Sequence, residues 1–206
     1  MSFFKKLFKS RQPVIIVSGL PRSGTSMMMK MLEAGGIPPL TDQIRTADDD
    51  NPKGYYEFER VKQLDKGDTA WVAEAQGKVV KVISPLLRFL PPDQEYRVIF
   101  MHRHMEEILA SQKKMLLNRG EDPNRVSDEE LTQLFEKHLA QVLQWLDQQS
   151  NIKTVTIHYS DILADPRPAA SQINEFLGGQ LHTGAMVASV DPSLYRNRQD
   201  EVVVGG

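Results

Sequence analysis

Pro21-Arg22-Ser23-Gly24-Thr25-Ser26 places a cation, three hydroxyls and a glycine in consecutive positions, just after the apolar run Val14-Ile15-Ile16-Val17-Ser18-Gly19. Between a strand and a helix, such a loop aims backbone N–H groups that lack intrahelical acceptors at one spot. The helix dipole adds partial positive charge there, so a cluster of anionic oxygens is the natural occupant. Gly19 and Gly24 enclose four residues, the spacing of a nucleotide-binding phosphate loop. Loops that hold ATP or GTP carry a lysine after the second glycine; here that position is Thr25, and the loop's only cation is Arg22. The expected ligand is phosphate-like with less charge to neutralise than a triphosphate. A glycine-containing turn with no ligand is the structural alternative.

A second reactive group is His102-Arg103, at the end of the apolar run Tyr96-Arg97-Val98-Ile99-Phe100-Met101, with Ser111 on the helix that follows. If the strands run parallel, Arg22, Ser23, His102 and Arg103 share one edge of a sheet, where open α/β sheets bind ligands. A magnesium–triphosphate site calls for an aspartate at the end of a buried strand, yet these strands end in His-Arg and Ser-Pro. A nucleoside anionic at both ends fits better. One end lies in the cradle of Arg22, Ser23, Gly24, Thr25 and Ser26, and the other is held by Arg103 and Ser111. This is the pattern of 3′-phosphoadenosine 5′-phosphosulfate, with no metal expected.

The elements that must position these groups alternate. After the first strand a helix runs from about Gly24 to Ala34, with Met27, Met28, Met31 and Leu32 as core filling and Gly35-Gly36 as its stop. Ile37 to Phe58 is rich in proline, aspartate and glycine, without helical or strand period; it reads as an acceptor-site loop or as disorder. Helical spacing resumes through Val61, Leu64, Trp71 and Val72, a second strand spans Lys78 to Ile83, and Ser84-Pro85 breaks it. The third strand leads into a helix from Met105 to Asn118. Ser127, with Glu130 three residues on, caps a long amphipathic helix expected to bury a wide face through Leu131, Leu134, Phe135, Leu139, Val142, Leu143 and Leu146. Thr154 to Ile157 is a fourth strand, Asp165 caps a last helix from Pro166 to Gly178-Gly179, and the tail beyond Leu181 reads as irregular. The expected fold is α/β, P-loop-type: a three-layer α/β/α sandwich with a mostly parallel central sheet.

The 206-residue length suits a single domain, with a flexible segment at 1–12 and the irregular tail at 181–206. The net charge of −2, with both signs dispersed, excludes the basic stripe of a nucleic-acid binder. There is no cysteine, so disulfides and thiol nucleophiles are excluded, and a reducing, cytoplasmic location is expected. Phe3-Phe4-Lys5-Lys6-Leu7-Phe8-Lys9 reads as a frayed terminus, or as a short amphipathic helix making weak contact with an anionic membrane surface.

On these residues the chain resembles the P-loop sulfotransferases. The carriers are the loop Pro21 to Ser26, Arg103 followed eight residues later by Ser111, and Tyr159-Ser160-Asp161-Ile162-Leu163-Ala164-Asp165-Pro166. The resemblance implies that 3′-phosphoadenosine 5′-phosphosulfate is the donor and that Arg22 touches its bridging oxygen and sulfuryl group. It also implies a late basic residue at the 3′-phosphate, taken as Arg196, with Arg198 behind it. A small-molecule acceptor is expected.

One departure concerns the base. Family members that sulfate small phenols carry lysine-threonine-histidine after the second strand, where this chain has Lys81-Val82-Ile83-Ser84-Pro85. Glu57, in Gly54-Tyr55-Tyr56-Glu57, is the expected base, as a carboxylate among aromatics; a solvated loop glutamate is the alternative. His102 and His104 could serve instead, and Lys81 is either an aid to the leaving oxygen or an exposed strand residue. Two rivals are a P-loop kinase or nucleotide hydrolase, and a non-catalytic nucleotide-binding or membrane-associated protein that kept the loop and lost the base.

Overall fold

A computed structural model of the chain describes residues 12–42 and 56–191. Four strands, β1 (Val14–Gly19), β2 (Val79–Lys81), β3 (Tyr96–His102) and β4 (Ile152–His158), form one sheet in the order β2-β1-β3-β4. Every pairing is parallel; Val17 lies beside Lys81 and Ile99, and His102 beside His158. Chain order reverses between β1 and β3, which makes the crevice beyond their carboxyl ends the switch point where such sheets bind ligands.

β1 is buried along its whole length because helices cover both faces, which is why its sequence is continuously apolar instead of alternating. Residue parity sorts the two cores. Val14, Ile16, Val80, Val98 and Phe100 pack with Trp71, Leu87, Val142 and Leu146 on one side. Ile15, Val17, Val79, Ile99 and Met101 pack with Met28, Met29, Met31, Leu32 and Ile173 on the other. The second layer is built by α1 (Thr25–Ala34), α4 (Tyr159–Ala164), α5 (Pro166–Phe176) and α6 (Thr183–Ser189), and the first by α3 (Asp128–Asp147) with three 3-10 helices, Glu59–Lys66, Ala70–Ala75 and Ser84–Phe89. α2 (Met105–Asn118) runs back from the end of β3.

The expected three-layer α/β fold, its four strands and the parallel sheet are all present. Both expected caps are made: Ser127 Oγ accepts from Glu130 N at 3.2 Å, and Asp165 Oδ1 accepts from Arg167 N at 3.1 Å.

Several local expectations are corrected. The tail beyond Leu181 is not irregular throughout, because α6 covers the end of α1 with Met186 fully buried; the helix before it is therefore not the last. α3 does not bury a wide face: only Val142 and Leu146 are buried, while Leu134 is 54% exposed. Ser84-Pro85 does not simply break the chain but starts a 3-10 helix, with proline at a first-turn position where its missing N–H costs nothing. Residues 38–40 follow the outer edge of β2, with Leu40 N donating to Val79 O at 2.8 Å and Val79 N to Pro38 O at 3.1 Å. The remainder of the expected acceptor loop, 43–55, lies outside the described residues, as do 1–11 and 192–206.

Candidate functional site: the crevice between β1 and β3

β1 ends on Gly19, where a Cβ would stand 2.5 Å from Ser23 Oγ and 2.6 Å from the Met101 carbonyl oxygen, so only glycine lets the loop fold down onto the end of β3. Arg22 sits at φ 68°, left-handed backbone that costs a non-glycine residue about 1–2 kcal/mol. Two long-range bonds hold it there. Arg103 Nη1 donates to the Arg22 carbonyl at 3.0 Å, and Arg22 Nε donates to Ser111 Oγ at 2.9 Å. Gly24, at φ 95°, then turns the chain into α1, and Met28 N to Gly24 O at 3.1 Å is the first intrahelical bond. The amides of Thr25, Ser26 and Met27 thus form the open, partially positive end of the helix.

Arg103 is held from three sides. Its Nε donates to a Glu107 carboxylate oxygen at 2.8 Å, with side chains 7% and 0% exposed. Its Nη1 holds the Arg22 carbonyl, and its guanidinium lies 4.4 Å from the centre of the Tyr159 ring. That ring also fills the space a Cβ on Gly24 would need, 2.4 Å from Tyr159 Cδ2. Burial pushes the Tyr159 phenol above its ordinary pKa. The Glu107 carboxylate, the Arg22 carbonyl and the aromatic face replace water around this buried positive group.

The residues present fit a doubly anionic nucleotide. Ser23 Oγ, in the loop itself, is buried and has no hydrogen-bond partner among the described residues. Lys81, at the end of β2, brings Nζ to 3.4 Å from Ser26 Oγ, so a second cation reaches the loop from a neighbouring strand.

Of the residues singled out in the sequence, Arg22, Ser23, Gly24, Arg103 and Ser111 are brought into one connected group, with Thr25 and Ser26 on the adjoining first turn. Glu57 is joined to the strip that runs along β2: its carbonyl accepts from Thr41 Oγ1 at 2.8 Å, and its carboxylate is 3.7 Å from Lys62 Nζ. Arg196 and Arg198 are outside the described residues. His102 pairs with His158, ring centres 4.8 Å apart, and burial followed by the nearby His158 and His104 holds His102 below the ordinary imidazole pKa.

Glu107 and Tyr159 were missed as parts of the site. The four-residue interval between Arg103 and Glu107 on one helix face was a usable signal for an ion pair; Tyr159's approach to Gly24 had none. Among the described residues no group of three or more His, Asp or Glu side chains could hold a metal, and no helix is long and apolar enough to cross a membrane.

A phosphate loop at the switch point of a parallel sheet, with a second, buried cation just after the adjacent strand, defines an α/β protein of the nucleotide-binding P-loop class. Within that class the sulfotransferase domain profile matches residues 12–203, and the chain belongs to this family of sulfotransferases. Among solved structures it is similar to sulfotransferase STF1 from Mycobacterium tuberculosis H37Rv, with 16% identity, a TM-score of 0.59, and 97% of this chain and 78% of that one covered. It is also similar to mouse sulfotransferase SULT7A1 complexed with PAP, with 18% identity, a TM-score of 0.51, and 87% of this chain and 62% of that one covered. At these identities the likenesses speak for the fold. No curated protein matches the chain by sequence.

Proposed function

We propose that the chain moves the sulfuryl group of 3′-phosphoadenosine 5′-phosphosulfate onto a hydroxyl or amine of a small-molecule acceptor, with the donor stretched between two arginine-bearing corners of the sheet. The 5′-phosphosulfate takes the first-turn amides of α1, the hydroxyls of Ser23, Thr25 and Ser26, and the Arg22 guanidinium. The 3′-phosphate takes Arg103 and Ser111, with Arg196 as a further contact. The observation that carries this reading is the bonded chain from Arg103 Nη1 to the Arg22 carbonyl and from Arg22 Nε to Ser111 Oγ. It joins the loop cation directly to the two residues assigned to the 3′-phosphate in this reading.

In the transfer the acceptor oxygen or nitrogen bonds to sulfur as the bond from sulfur to the bridging oxygen breaks. The electron pair leaves on that oxygen. Amide donors fixed at the start of α1, together with Arg22 and Lys81, stabilise the charge where it develops, without rearranging during the step. A sulfuryl group beside one phosphate presents less clustered charge than a triphosphate, and the two cations supply what magnesium supplies in phosphoryl transfer. The acceptor's proton goes to Glu57 in this reading. The single-domain organisation over 1–206 and a cytoplasmic location, argued from the cysteine-free composition, complete the proposal.

Calorimetry with 3′,5′-adenosine bisphosphate, against ATP with magnesium, tests the donor. The bisphosphate should bind in the presence of a chelator and ATP should bind more weakly; the reverse order would favour a kinase-type site.

A further inference from the structure

α3 and the 3-10 helix Ser84–Phe89 belong to the layer on the sheet face opposite α1. Between them lies a cavity of about 380 Å3, lined by Ser84, Arg88, Gln141, Val142 and Trp145. The sheet separates it from α1, whose first turn is assigned to the donor, and from the contact of Lys81 with Ser26. None of the lining residues is among those assigned to the donor or to the transfer. The cavity is therefore a feature of its own.

Its polar groups have bonding capacity to spare. Among the described residues the Arg88 guanidinium, the Gln141 amide and the Trp145 indole N–H make no hydrogen bond or ion pair within the protein. Ser84 is 1% exposed, and its Oγ is 2.8 Å from His138 Nε2 on α3. When that imidazole nitrogen donates to Oγ, the serine keeps its own proton for another acceptor. Burial first, and Arg88 second, hold His138 below the ordinary imidazole pKa, so the ring is neutral at pH 7. Arg88 is then the single charge in the lining, beside the apolar wall that Val142 and Trp145 provide.

We propose that this cavity is a second ligand site, separate from the donor crevice, and that it takes a small aromatic monocarboxylate. Arg88 meets the carboxylate, the Gln141 amide and the Ser84 hydroxyl donate to its remaining lone pairs, and the ring lies along Val142 and Trp145. The volume suits one small molecule, and a mainly apolar wall with a few donors is the usual make-up of such a site. A flat ring loses little conformational freedom on meeting the indole and gains an aromatic contact there. The inference does not depend on the sulfuryl-transfer reading.

Charge count selects the ligand. One cation and a few neutral donors balance one negative charge, whereas a phosphate dianion would leave a charge uncompensated against the apolar wall. The donor crevice has the opposite bias: Arg22, Arg103, Lys81 and the open amides of α1 suit several anionic oxygens and offer no comparable apolar wall. A monocarboxylate with a ring and an adenosine bisphosphate should therefore sort between the two sites.

Calorimetry on the full chain with phenylacetate and its neutral isostere phenylacetamide tests the site. The wild type should bind phenylacetate saturably and one to one, at least fivefold more tightly than the amide, with the same affinity in the presence of saturating adenosine bisphosphate. Arg88→Ala should remove the preference, Trp145→Leu should weaken both probes at least fivefold, and Arg103→Ala should change neither. Arg88 is exposed, so its truncation spares the fold and decides the matter if Trp145→Leu does not fold. No saturable binding of phenylacetate, a preference that survives Arg88→Ala, or displacement by the bisphosphate would each overturn the inference; displacement would put the carboxylate in the donor crevice. Failure of the bisphosphate itself to bind would count against the donor assignment, and the phenylacetate titrations of wild type and Arg88→Ala would still decide this site.

Discussion

Removal of the Glu107 carboxylate probes how the site is held together. Glu107 and Arg103 are 2.8 Å apart with side chains 0% and 7% exposed, so neither charge is compensated by water. At an effective dielectric constant of about 20, unit charges about 3 Å apart interact by roughly 5–6 kcal/mol before desolvation is counted. Deleting one partner of such a buried pair typically costs about 3–5 kcal/mol, because the other charge is left uncompensated. Glu107→Ala should therefore lose about 3–5 kcal/mol of unfolding free energy, and at about 2–4 °C per kcal/mol for a chain of this size its Tm should fall by roughly 6–20 °C. The assay is urea unfolding of wild type, Glu107→Ala, Arg103→Met and the double variant Arg103→Met/Glu107→Leu. Replacing both charges by apolar groups should restore most of the stability, yet the double variant should bind adenosine bisphosphate no better than Arg103→Met alone. A loss below about 1 kcal/mol in Glu107→Ala, the level of an exposed pair, would refute the argument that Arg103 is a buried cation fixed by one carboxylate.

Other consequences can be measured separately. Gly24→Ala adds a methyl 2.4 Å from the Tyr159 ring at φ 95°, so backbone strain and overpacking together should cost about 2–5 kcal/mol; a Tm within 2 °C of wild type would contradict this. His102 and His138 both have folded-state pKa values below the ordinary 6.5, so the unfolded chain binds more protons in mildly acid solution. Their contribution to stability is complete above about pH 6.5 and is lost as the pH falls below it toward the folded pKa values. Thermal scans should show Tm falling from pH 7 to pH 5, with a shallower fall in His138→Gln; an unchanged slope in that variant would contradict the assignment. Finally, if Glu57 is the base, Glu57→Gln should abolish transfer and leave bisphosphate affinity intact. Undiminished label transfer in Glu57→Gln would contradict that assignment.

The phosphate loop was legible because every position in it is constrained by type: a small residue where backbone approaches backbone, a cation, hydroxyls, and a continuous buried strand before it. The caps Ser127 and Asp165 were legible because capping is local chemistry. The less visible features depend on contacts between distant segments. Nothing local in Lys81 says that its ammonium will meet Ser26, nor in Ser84 that an imidazole fifty-four residues later will reach it. α6 escaped notice because seven residues with one buried side chain, Met186, give no period to read. The breadth of the α3 core face was overestimated for a related reason. Its apolar positions keep helical spacing over the whole length, but the sheet and the 3-10 helices cover only the half that carries Val142 and Leu146.

The central claim is that Arg22 and Arg103 grip opposite ends of one adenosine bisphosphate group, and calorimetry of that ligand with wild type, Arg22→Ala and Arg103→Ala tests it most directly. Loss of one charge-assisted contact is worth roughly 1.5–3 kcal/mol, about ten- to a hundredfold in affinity. Chelated wild-type protein should bind the bisphosphate, and Arg103→Ala should bind it ten- to a hundredfold more weakly. Adenosine 5′-phosphate, which lacks the 3′ group, should lose much less affinity than the bisphosphate in Arg103→Ala, while Arg22→Ala should weaken both ligands. Equal loss of both ligands in Arg103→Ala, or no loss of either, would contradict the claim.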